Sequence, residues 1–132
     1  KLDLIKQHHI QFDEVIASND LMFSIKVGHY AQQIWADNFP VYCITRTSGS
    51  LTQTITSVNS RSRFRAAIRQ YHFMNSIGRP DLCFRLMPQV VYSCQFGFNE
   101  LLWYVKTAYN EKVNLFLGVQ HWPALNYNKL FR

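Results

Sequence analysis

Six arginines crowd into residues 61 to 85, at Arg61, Arg63, Arg65, Arg69, Arg79 and Arg85, and Asp81 is the single acid among them. Six arginines less one aspartate leave this segment at +5, against +6 for the whole 132-residue chain, so the remainder is nearly neutral. A guanidinium is a planar fork of donors that matches phosphate or carboxylate and stacks on rings, which a lysine ammonium does not. At about 100° per residue, Arg61, Arg65, Arg69 and His72 share one arc of a helix, beside an apolar arc of Phe64, Ala67, Ile68, Tyr71 and Met74. No acid lies between Arg61 and Arg79, so the helix has no i,i+4 carboxylate of its own and its like charges repel. Arg61, Arg63 and Arg65 also sit in the first turns, where the helix dipole disfavours cations and favours anions. An arrangement poor for stability and good for holding an anion points to nucleic acid.

The expectation is therefore a non-catalytic domain that binds RNA or single-stranded DNA. In it Arg61, Arg63, Arg65 and Arg69 contact phosphates, Arg79 and Arg85 extend the patch, and His72 lies on the stripe. Trp103 or Trp122 would offer a stacking face to unpaired bases, and RNA is preferred because no helix-turn-helix pattern for a major groove is present. Two other classes use the same residues. In one, the arginines dock an acidic or phosphorylated protein segment. In the other, His72 and His121 serve as acid and base of a metal-free nuclease.

Other chemistry finds little support. The chain contains no P-loop, GxGxxG, GxSxG, HExxH or CxxC. His8, His9 and Asp13 read as a polar helix face, and no catalytic residue, metal or cofactor is expected. Cys43, Cys83 and Cys94 lie far apart inside apolar runs, the pattern of buried free thiols, which places the chain in a reducing cytoplasmic or nuclear setting. No apolar run is long enough for a membrane span and the first residues do not resemble a signal peptide, so no membrane partner is expected. The chain opens at Lys1 without a Met and reads as a piece of a longer protein.

These residues need elements to position them. Leu2, Ile5, His9, Phe12 and Ile16 predict a helix over 2–16. Leu21–Val27 alternates and reads as a strand closed by Gly28, whereas 30–37 is too short to assign. Val41–Arg46 and Leu51–Val58 predict a hairpin about Thr47-Ser48-Gly49-Ser50. The arginine helix runs from Arg61 to Ser76, capped by Asn59 or Ser60 and stopped by Gly78 and Pro80. Leu82–Met87 and Val90–Phe96 read as strands around Pro88. A third helix follows from Asn99 to Asn110, burying Leu101, Leu102, Val105, Ala108 and Tyr109 and leaving Trp103 on the opposite side, packed under a loop or offered to a partner. Val113–Val119 closes as a strand. The order α-β-β-β-α-β-β-α-β predicts one α+β domain over 1–132, an antiparallel or mixed sheet with helices on one face.

Overall fold

The computed structural model describes residues 2–40, 42–43 and 55–117. Among them it contains no β-strand, and the α+β expectation is corrected to a helical one: α1 (Leu2–Gln7), α2 (Leu21–Tyr30), α3 (Ser57–Ser76), α4 (Met87–Ser93) and α5 (Phe98–Asn110), with 3-10 turns at Pro80–Leu82 and Cys94–Phe96.

α3 is the central element because its buried arc is wide. Phe64, Ala67, Ile68 and Met74 face inward as their spacing predicts, joined by Asn59, Ser60, Ala66 and Gln70. Thr56 starts the helix, its hydroxyl accepting from the Asn59 amide at 3.1 Å, so the cap lies earlier than the expected Asn59 or Ser60. The main core joins Phe64, Ala67 and Ile68 to Leu86 and Val90 and to Tyr104 and Ala108 of α5. Inside it the Tyr104 hydroxyl donates to Ser60 Oγ at 2.7 Å, which satisfies both buried hydroxyls.

Each misread strand has a physical explanation. In Leu21–Val27 the alternating pattern counted Met22 with the polar residues, yet Met22 is the buried side chain of α2. Stacking of Phe23 on Phe12, with centroids 4.1 Å apart, and the edge contact of His29 with Phe73 at 5.5 Å hold α2 in place. Those contacts outweigh the roughly 0.5–1 kcal/mol that Gly28 costs within a helix. Pro88 lies in the first turn of α4, where a missing N–H costs nothing, and Val90 and Ser93 face the core one turn apart. Gly97, at φ 102° and ψ 167°, makes the junction that aims α5 back along the core; only glycine adopts that backbone readily. Cys83, just past the Pro80–Leu82 turn, is extended without a ladder, and the buried Gln70 amide does the pairing instead, donating to Leu82 O and accepting from Phe84 N, both at 3.0 Å. On the other side of α3, Ser62 makes the same kind of bracket with the Ala17 amide at 3.1 Å and carbonyl at 3.0 Å.

The remaining differences are smaller. α1 ends at Gln7, and His9 at φ 48° turns the chain away. Residues 113–117 form no strand, with a turn at 115–117, and Val113 and Leu115 rest against the core. Most of the expected hairpin lies outside the described residues, and its last two positions, Ser57 and Val58, belong to α3. No helix among the described residues is long and apolar enough to cross a membrane.

Candidate functional site

The helical phase of α3 leaves Arg65 and His72 exposed and Arg61 and Arg69 half-exposed along one line. α5 brings Trp103 to that line. The Arg61 guanidinium carbon is 4.6 Å from the Trp103 ring centroid and that of Arg65 is 5.3 Å away, so two cations share one indole. Trp103 is itself half-buried and packs edge-on against Tyr104 at 5.1 Å, so its position is held by the core.

The carboxylates missing from within the helix arrive from other elements. Glu100 of α5 grips Arg61 through both oxygens, accepting from Nε at 2.9 Å and Nη2 at 2.7 Å. This hydrogen bond, and to a smaller degree the Glu100 charge, raises the Arg61 pKa against a lowering by burial. Arg69 Nη2 lies 2.9 Å from Asp13 Oδ2 in the segment after α1, too poorly aligned for a hydrogen bond. His72 Nε2 stands 3.6 Å from Glu111 Oε2 just beyond α5. Arg65 is the stripe residue with no carboxylate partner among the described residues. Tolerated repulsion within α3 is thereby explained without an outside anion: the segment after α1 and the α5 region supply the counter-charges.

The other arginines have different surroundings. Arg63 turns to the far side of α3 and lines a cleft of about 480 Å³ with Ser60, Phe84 and Tyr92. Arg79 is bound by Asp81 through both oxygens, at 3.0 and 2.9 Å, which holds the Asp81 carboxyl below its ordinary value. Arg85 is exposed beyond the Pro80–Leu82 turn. Trp122 and His121 lie outside the described residues. Of the candidate residues, the fold gathers Arg61, Arg65, Arg69, His72 and Trp103, and sends Arg63 and Arg79 elsewhere.

A second surface was misassigned from sequence. α5 buries Tyr104 and Ala108, with Leu101 half-buried, while Leu102, Val105 and Tyr109, expected in the core, are exposed. Together with Phe98 they form a continuous apolar line at spacings of four, three and four residues; Phe98 is 70% exposed and Tyr109 83%. Trp103, expected on the polar side and either covered or offered to a partner, is half-buried against the core. The available signal was the composition of α5: its apolar residues are too many for one face, and seven of them, from Phe98 to Tyr109, fall into two lines.

Cys43 and Cys94 are exposed and Cys83 is half-buried, against the expectation of three buried thiols. Helical winding through α4 turns Val90 and Ser93 inward and carries Cys94 to the surface. Among the described residues no three His, Cys, Asp or Glu side chains come together as metal ligands. No protein-family model, curated protein or solved structure matches this chain.

Proposed function

We propose that this chain is a protein-interaction domain whose α5 surface takes an amphipathic helix with acidic flanks from another protein. The observation that supports this reading is the second apolar line of α5, Phe98, Leu102, Val105 and Tyr109, left open after the first line has built the core. A continuous run of apolar side chains on a helix is a sticky surface, and single exposed hydrophobics are not. Covering Phe98 contributes up to about 1.5–3 kcal/mol gross, and Leu102 and Val105, 38% and 43% exposed, correspondingly less, before the costs of association. The spacing fits helix-to-helix docking. Charge selects the partner. Lys106 and Lys112 are exposed in and just after α5, while the nearby acids Glu100 and Glu111 are engaged with Arg61 and His72. A second copy of this basic chain would meet like charge, whereas an acidic flank would not.

A random peptide library displayed on phage and panned on the folded domain tests this, with counter-selection on the Leu102→Asp/Val105→Asp double variant. Recovered sequences should carry apolar residues at helical spacing between Asp and Glu, and should lose binding to the double variant by more than about tenfold. Sequences indifferent to the variant, or lacking acids, would sink the reading. So would a dimer in sedimentation equilibrium that the double variant abolishes, since the face would then close on a copy.

Nucleic-acid binding is the second reading, and the contact of Arg65 with Trp103 favours it. A cation without a carboxylate partner beside an indole is the combination that single-strand binders use for phosphate and base. On this reading the site contracts from nine residues to Arg65, Trp103 and the partly engaged Arg61.

A further inference from the structure

A different concavity lies at the amino-terminal end of the molecule. α1, α2 and the segment leaving α2 enclose an open cleft of about 870 Å³ whose lining includes Asp3, His8, Phe23, Val27, Tyr30 and Trp35. That volume is in the range of small-molecule sites, roughly 300–1,000 Å³. Two of its walls are braced by ring stacking: His8 lies flat on Tyr30, with centroids 3.8 Å apart and planes 9° from parallel, and Phe23 lies on Phe12 at 4.1 Å and 5°. Trp35 is 89% exposed, so its indole is available to an occupant.

Charge sets this cleft apart from the rest of the chain. Among the described residues no lysine or arginine lines it, and Asp3 is the one carboxylate, in a protein of net charge +6. The faces of indole and phenol rings carry negative potential and attract cations, most strongly where water is partly excluded. A carboxylate in the same wall adds to that attraction and repels anions. An apolar body would gain by covering Phe23 and Val27.

We propose that this cleft is a binding site for a small organic ammonium ion, held by its charge among Trp35, Tyr30 and Asp3 and by its apolar body against Phe23 and Val27. The site is separate from the α5 surface and does not depend on it.

Benzyltrimethylammonium is the probe, with benzyl alcohol as a neutral comparator and benzoate as the anion, each titrated into the full chain while the tryptophan indole N–H signals are followed by NMR. The ammonium ion should shift the Trp35 signal saturably and bind about tenfold more tightly than benzyl alcohol, with no binding by benzoate. Asp3→Asn, at an exposed position, should weaken it severalfold while the circular dichroism spectrum stays unchanged. No saturable shift, equal affinity for benzyl alcohol or benzoate, or full affinity in Asp3→Asn would overturn the proposal. A shift confined to another tryptophan would do the same.

Discussion

At the scale of single residues, Tyr104 is the side chain on which burial acts most plainly. It is fully covered, and burial pushes its phenol above the ordinary value, partly offset by the hydrogen bond to Ser60. An acid whose folded pKa is raised stabilises the fold below the unfolded value, about 10 for tyrosine, and that contribution is lost as pH rises through the folded value. Stability should therefore hold through neutrality and fall at alkaline pH, alongside a late component of the phenolate absorbance. Tyr104→Phe should remove that component and cost about 1 kcal/mol at neutral pH, because Ser60 loses its partner. Loss of stability at the same alkaline pH in the variant would count against the assignment.

The cysteines make a second residue-scale case. Cys43 and Cys94 are exposed, whereas Cys83 is half-buried, touches the Tyr71 carbonyl at 3.8 Å, and has its thiol pKa raised by burial and then by Asp81. Thiolate is the reactive species. Labelling of the native protein should thus modify Cys43 and Cys94 first and Cys83 last, as peptide mass mapping would show. Equal rates would contradict the burial of Cys83.

At the scale of elements, α3 and α5 present similar hydrophobic patterns and opposite outcomes. α3 offers one apolar arc, and the core takes all of it. α5 offers two, and packing against Phe64 and Leu86 selects the line with Tyr104 and Ala108. Ile68→Ala in α3 should cost about 2–5 kcal/mol, as truncation at a buried aliphatic site does. Leu102→Ser in α5 should cost less, about 1 kcal/mol, because Leu102 is 38% exposed. Denaturant midpoints of the two variants decide the phase of both helices; a large loss in Leu102→Ser would return that residue to the core.

At the scale of the whole molecule, charge is distributed so that most of the arginine stripe is balanced internally. Glu100, Asp13 and Glu111 come from two different regions of chain to meet α3. These partly exposed pairs contribute little individually, about 0–1 kcal/mol each, but Glu100 occupies two Arg61 donors that a phosphate would need, and Asp13 sets a carboxylate beside Arg69. If the second reading holds, few phosphates are contacted, and affinity for single-stranded RNA should fall with salt on a shallow logarithmic slope. Arg65→Gln should then reduce that slope by about 0.7, one contact's worth. Fluorescence anisotropy at several salt concentrations measures it. A wild-type slope corresponding to five or six contacts would restore the wide arginine patch, and absence of binding at low salt would leave the protein-interaction reading alone.

The sequence by itself determined α3, its buried arc, its outward arginines and the extent of α5 to within a residue, because these are long segments whose period is set by the backbone. Short apolar runs were a different matter: in Leu21–Val27 and Val90–Phe96 periods of two and 3.6 coincide over so few residues that tertiary contacts choose between them. Phe12, Phe73 and the junction at Gly97 made that choice for helix. Only the tertiary structure could show that Arg61 belongs to Glu100 and Arg69 to Asp13, since ion pairs 39 and 56 residues apart leave no local trace. It likewise decided which of two apolar lines on α5 became core, because that depends on the angle at which one helix crosses another, and a single helix carries no record of it.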